Sequence, residues 1–401
     1  MKKHYTLSVA LAGLTVASVS NAQTSVTLYG VVDNGIAWQN SSTSKGSTSG
    51  GHSAVTMTNG AWAGSRFGLK GSEDLGGGTS TIFQLEAGFN SENGQSQFTG
   101  GLFTRQAFAG LANANYGTLT LGRQYTAYYL MLSPYSPTTY LTGFFGAHPG
   151  DIDSLDTTYR VNNAVMYTSP KIAGFTFSAS YALGGVAGDF NRGSTWSVAA
   201  QYLNGPFGIA AGVQRINNST PGGGTWGTDS TTNSGGQPGL SALNNGYQTA
   251  QAQQRIAVTG GYRFTPAWDV SFSYSNVQYV PGIGSAFHQE AIFNTGGLAL
   301  HWKPGPALDL AAGYSYTWAT EANGIHHAAQ YHQISLTQYY ALSKRTGVYT
   351  GEAFTRANGQ TLGSNGVQII NATATVGDGF NSTPSSSGSQ VVVGAGILHR
   401  F

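Results

Sequence analysis

Three carboxylates and an arginine within ten residues form the stretch of this chain best equipped for chemistry: Asp151, Asp153 and Asp156 in DIDSLD, then Arg160. They close a long connection, Gln124 to Arg160, that runs between two short β-like segments. Acids spaced this way can cap a helix, ligate a hard cation, or fix charge on the wall of a water-filled passage. A twelve-residue calcium loop needs further ligands and a glycine that this stretch lacks. Capping remains the plain alternative; we read the segment as folding into the mouth of a β-barrel and narrowing it. His326, His327 and His332 lack the strand or helix spacing of a zinc site and read as a solvated loop, so no metal and no other cofactor is implied. A hydrolase would need a nucleophile, a base and an orienting group within hydrogen-bond reach. His301 lies beside the turn KPGPA, and no serine, histidine and acid are expected at one level of a barrel, so an enzyme is the weak alternative.

The elements that must position these groups are strands. From Ser25 onward the apolar pattern has a period of two, as a strand with differently solvated faces requires. Trp268, Val270, Phe272 and Tyr274 alternate with Asp269, Ser271, Ser273 and Ser275, and Phe175, Phe177, Ala179 and Tyr181 repeat the theme. Seven short turns rich in Gly, Pro, Asn and Asp, such as NGPFG at Asn204 to Gly208, alternate with eight longer polar stretches, such as Asn217 to Ala250. Fifteen connections join sixteen strands, and short turns on one side with long loops on the other describe an outer-membrane barrel. Such a barrel is wide enough to hold water.

Composition agrees. Charged residues are 8%, aromatics 12%, and glycine is abundant at 58 residues, which suits a wall between lipid and water better than a soluble domain. At the N-terminus, Lys2 and Lys3, the apolar run Leu7 to Val19 and the small-residue site Ser20 to Ala22 read as a cleaved secretory signal over residues 1–22, leaving 23–401 as the barrel. Its removal leaves 16 basic against 16 acidic residues; a neutral chain is a poor nucleic-acid binder. Cysteine is absent, which excludes a disulfide framework. No apolar stretch reaches the length of a membrane-spanning helix, so insertion must be as a closed barrel.

Five motifs then stand in order: SVTLYGVVDNGI, SRFGLKGSEDLGGG, TRQAFAGL followed by GTLTLGRQ, TYRVNNAVMYTSPKIAGF, and the terminal ILHRF. With them the whole mature chain resembles the trimeric general porins of the Gram-negative outer membrane, most closely their β-proteobacterial branch. The resemblance implies an all-β, 16-stranded antiparallel transmembrane β-barrel whose third external loop folds inward. It implies passive diffusion of small hydrophilic solutes and ions through a homotrimer, with early strands carrying Ala107, Ala109 and Gly110 at the subunit contact. It also implies a constriction in which Asp151, Asp153 and Asp156 face the wall arginines Arg66, Arg105, Arg123 and Arg160. Phe401, with Ile397, Ala395 and Val393 before it, resembles the signal read by the barrel-assembly machinery.

Arg66 shares a face with Gly68 and Lys70, opposite Phe67 and Leu69, as a lumen residue should. Arg123 falls in step with Leu119 and Leu121, and reaches the lumen only where a bulge resets the register. Arg215, Arg255 and Arg263 also qualify as residues facing water. Two rival functions remain: a sugar- or anion-specific channel, for which Tyr125, Tyr128, Tyr129, Tyr135 and Tyr140 offer stacking faces, and a surface adhesin that uses the barrel as a scaffold.

Overall fold

The computed structural model describes residues 25–97, 100–156, 159–226, 241–379 and 384–401; the expected leader lies outside them. Sixteen wall strands follow in chain order, each antiparallel to the next. They are β1 (Ser25–Ser42), β2 in two segments (His52–Asn59 and Arg66–Gly76), β3 (Thr79–Gly88), β4 (Gln106–Asn113), β5 (Gly117–Gln124), β6 (Val161–Thr168), β7 (Phe175–Ala182) and β8 (Thr195–Asn204). The second half comprises β9 (Phe207–Asn217), β10 (Ala252–Thr265), β11 (Trp268–Val280), β12 (Ala291–Trp302), β13 (Leu308–Ala319), β14 (Gln330–Ala341), β15 (Thr346–Asn358) and β16 (Ser389–Arg400). β16 pairs back onto β1, with Gly35 opposite Gly396, so the sheet closes and no edge is left. Closure pairs the backbone of the last strand with that of the first, as hydrocarbon demands of a spanning sheet.

Period-two patterning decides which face meets lipid. On β11, Phe272 and Tyr274 are 40% and 46% exposed, whereas Ser273 and Ser275 between them are 5% and 0%. The seven short turns fall where the glycine and proline clusters place them. One expected loop is shorter than its composition suggests. Gln39 to Ala61 reads as polar and Ser/Thr-rich, yet β1 continues to Ser42 and pairing resumes at His52, because Val55 and Met57 alternate with Thr56 and Thr58 and turn outward. Aromatic rings gather near the rims: Tyr262, Phe264 and a Trp268–Trp302 stack at the short-turn end, and Trp38 at the other. Gly110 departs from the expected small outer patch. It faces inward, since Ala109 and Leu111 on either side of it are turned out.

The interior is not hollow throughout. The third long connection carries α1 (Ala127–Leu132) and α2 (Thr138–Gly146). Later long loops fold over the opening, where Leu243, Tyr247, Phe287, Phe293 and Leu362 pack into one apolar cluster with Ile152.

Candidate functional site

Residues 125–156 lie along the inner wall from β7 to β15. Wall hydroxyls and amides meet the backbone of this segment. The Ala127 N–H donates to Ser180 (3.3 Å) and the Tyr128 N–H to Ser197 (3.2 Å). In return, Thr259 donates to the Leu132 carbonyl (2.8 Å), Thr337 to Tyr140 (2.9 Å) and Ser335 to Phe145 (2.6 Å). Thr126 caps α1, accepting from the Tyr129 N–H. Phe145 sits against Gly351 of β15, where a Cβ would collide with its ring.

The acids of DIDSLD divide between two tasks. Asp153, fully buried, takes His148 Nδ1 at 2.5 Å and a hydrogen bond from Ser275 of β11 at 2.7 Å. Burial pushes its carboxyl up, but His148, Ser275 and Arg255 together outweigh that and hold it below the usual carboxylate range. His148 Nε2 lies 3.1 Å from the Ser273 hydroxyl, so a serine, a histidine and an acid do meet at one level, contrary to expectation. His148 and Asp153 are 1% and 0% exposed, and the row ties the loop to β11. Arg255, buried on β10, adds a bond from Nε to the Ile152 carbonyl (3.0 Å). Asp151 accepts the Asp156 N–H (3.0 Å) inside the loop's own turn. Of the three, Asp156 lines the open cleft between loop and wall.

Arg66, Arg105 and Arg160 line the same cleft. Arg105 and Arg160 both donate to the Tyr125 hydroxyl, at 3.3 and 2.7 Å, and the Arg160 guanidinium lies over the Tyr125 ring at 4.7 Å. Burial, reinforced by the neighbouring Arg105, pushes the Arg160 guanidinium down from its ordinary value. Glu86 of β3 pairs with Arg105 Nε at 2.7 Å and lies 3.6 Å from Arg66 Nε. Its second oxygen accepts from Tyr29 (3.0 Å).

Arg123 is set apart from this row. The pairing of β5 with β6 shifts between Gly122 and Gln124, and the guanidinium bonds the Thr104 carbonyl and Asn162, both at 2.6 Å, bracing the strand ends. Arg215 bonds Asn217 and Gln254, while Arg263 pairs with Asp269 at 2.9 Å on an exposed rim. Among the described residues, no cluster of His, Cys, Asp and Glu could hold a metal.

Two acids near the cleft escape the sequence reading. Glu86 had a signal: Gln84 and Glu86 alternate with Phe83, Leu85 and Ala87 on an amphipathic strand. Asp378, which also lines the cleft and donates its N–H to the Gly143 carbonyl (3.1 Å), lies in a loop without period. Phe401 closes the barrel seam, exchanging backbone hydrogen bonds with Gly30 (3.1 Å each) beneath its ring.

A family model described as Gram-negative porin matches residues 7–360. An outer membrane porin protein of Bordetella pertussis is 37% identical over 242 residues, covering 55% of this chain and 60% of that protein. Outer membrane porin protein 32 of Delftia acidovorans is 28% identical over 403 residues, covering 98% of this chain and 99% of its own. This chain thus spans less than two thirds of the first relative and nearly all of the second. The solved structure of an anion-selective porin from Comamonas acidovorans superposes with a TM-score of 0.67 at 23% identity, over 94% of this chain and 100% of that one. The closed sixteen-stranded wall and these matches lead to one conclusion: the chain belongs to the Gram-negative porin family and is an outer-membrane barrel.

Proposed function

We propose that this chain forms a water-filled channel for passive diffusion of small hydrophilic solutes and ions, with a mild preference for anions set at the cleft beside residues 125–156. One observation carries the reading: Arg66, Arg105 and Arg160 line a single cleft together, and the acids that share its lining, Asp156 and Asp378, come from loops. Opposed fixed charges across narrow water, with low-dielectric walls around them, focus a transverse field. Polar solutes exchange hydration for wall contacts there, while apolar ones lose ordered water without replacement. Arg66 is the most hydrated member of the row, with 27% of its side chain exposed, so it is the cation that a passing anion meets. The structurally similar Comamonas protein is an anion-selective porin, which supports the same sign.

The proposal includes a homotrimer with outward Ala107 and Ala109 at the contact, and Phe401 as the residue recognised during assembly. Single-channel recording of the refolded protein in a planar bilayer under a salt gradient tests it. The expected result is a reversal potential on the anion side and closures in threes. A correctly folded barrel that passes no current overturns the channel and favours the adhesin.

A further inference from the structure

β2 is interrupted in mid-wall. The chain leaves the ladder at Gly60 and rejoins it at Arg66, taking Ala61, Trp62 and Ala63 out of register between the two segments. The excursion is held by a built clamp. Asp33 of β1, 0% exposed, accepts the backbone N–H of Trp62 (2.8 Å), the backbone N–H of Ala63 (2.7 Å) and the Tyr349 hydroxyl (2.6 Å). Its main chain is engaged as well: the Asp33 N–H donates to Ser65 Oγ (3.0 Å) and its carbonyl accepts from the Gly60 N–H (3.1 Å). Gly60 has φ +73, and a Cβ there would strike Gly64. A carboxylate so buried persists only with donors around it; two of the three side-chain bonds here come from the excursion and the third from the Tyr349 hydroxyl of β15.

The clamp presents an indole to the channel. Trp62, half-buried, packs on Tyr339 and Tyr349 with ring centroids 4.9 and 5.4 Å away. It lines the same cleft as Arg66, Arg105 and Arg160, together with Thr138, Thr142 and Phe144 of the inner loop. The ring and the cations share a frame, because Arg66 Nη1 donates to the Gly64 carbonyl (2.9 Å) at the end of the excursion. An aromatic face and a hydrated guanidinium therefore stand at fixed positions in one water-filled space.

We infer that Trp62 and Arg66 form a subsite for planar organic anions, with aromatic carboxylates as the ligand class, and that Trp62 is a specificity-determining residue of the channel. The inference deepens the diffusion reading above and rests on it. A carboxylate gains charge-assisted hydrogen bonds from the guanidinium, and its ring gains an offset stack on the indole. An aliphatic carboxylate of equal size gains only the first; a neutral aromatic gains only the second.

The test compares sodium benzoate with sodium cyclohexanecarboxylate, matched in charge and size, as blockers of chloride current through the refolded barrel, with benzyl alcohol as the uncharged probe. Benzoate is expected to block about three- to tenfold more strongly than cyclohexanecarboxylate, the range that stacking supplies, with no block by benzyl alcohol. In Trp62→Leu the ratio of the two anions should fall to near one, and in Trp62→Phe most of it should survive. Because the ratio is taken within each variant, a change in bore cancels. A wild-type ratio near one overturns the inference, whether or not any variant folds, and so does a wild-type ratio retained in Trp62→Leu. Chloride current with such a result leaves the channel standing; no current from a folded wild-type barrel overturns the channel itself.

Discussion

The two halves of the inner wall treat the same loop in opposite ways. From β7 to β15 the wall offers short groups, among them Ser180, Ser197, Thr259, Ser273, Ser275 and Ser335, and the loop lies against them. At the other side stand Arg66, Arg105 and Arg160, and a cleft remains. The difference follows from side-chain length and hydration. A serine hydroxyl reaches only the backbone that touches it, so it draws the loop close. A guanidinium projects several ångströms and stays charged, and its desolvation costs more than one contact returns unless a carboxylate pairs with it. Glu86 supplies that pairing for Arg105 and lies near Arg66, and the row meets the loop at Tyr125, whose hydroxyl accepts from Arg105 and Arg160. Holding the loop and lining the open cleft are thereby assigned to different arcs of one barrel.

That division can be broken from either side. The largest effect is expected from His148→Ala, which leaves Asp153 buried without its 2.5 Å partner; removing one member of a buried pair costs about 3–5 kcal/mol. The loop should come away from β11, seen as a larger single-channel conductance and as new protease cleavage within residues 127–156 of the folded barrel. Unchanged conductance would mean that the hydroxyl contacts alone hold the loop.

From the side of the cleft, Arg66→Ala combined with Arg105→Ala leaves Glu86, Asp156 and Asp378 in excess. The anion-to-cation permeability ratio should fall roughly tenfold, the scale of one or two unit charges at contact distance in water, read from the reversal potential. A selectivity that does not move would take these arginines out of the conducting arc.

Acid addresses the holding arc. The Asp153 carboxyl is held below its ordinary value in the folded chain, so its contribution is present above the unfolded value of about 3.9 and is lost as pH falls through the folded one. Protease resistance of the loop should therefore stay level from about pH 8 to about pH 5 and decline only below the ordinary carboxylate range. A decline already complete near neutrality would exclude Asp153 as the anchor. The smallest change is expected from Thr259→Ala, which removes one 2.8 Å bond to the Leu132 carbonyl. A net loss of about 1 kcal/mol should raise cleavage near α1 while leaving the reversal potential where it was.

Much of this was written in short-range patterns. Alternation over β7 and β11 needs only neighbouring residues to declare which side meets lipid, and the turn clusters need only their glycines and prolines. Strand number, barrel class and the inward face of Arg66 are therefore legible from the chain alone. Glu86 was equally legible, sitting two residues from Gln84 on a plainly alternating strand.

Tertiary structure decided what has no period. Nothing local separates Asp153 from Asp156: the first is claimed by Ser275, 122 residues away, and the second borders the cleft because the loop turns between them. Arg123 keeps step with Leu119 and Leu121, and its guanidinium is taken by the Thr104 carbonyl and Asn162, partners 19 and 39 residues away that only the folded sheet brings to it. The Asp33–Tyr349 bond spans 316 residues and exists only because β16 returns to β1, leaving β15 one strand from β1. The sequence by itself determined a closed, sixteen-stranded wall, since side-chain alternation and turn chemistry act between near neighbours. The bore, its charged row and the Trp62 excursion were decided by closure, which brings distant strands and an aperiodic loop into one enclosed space.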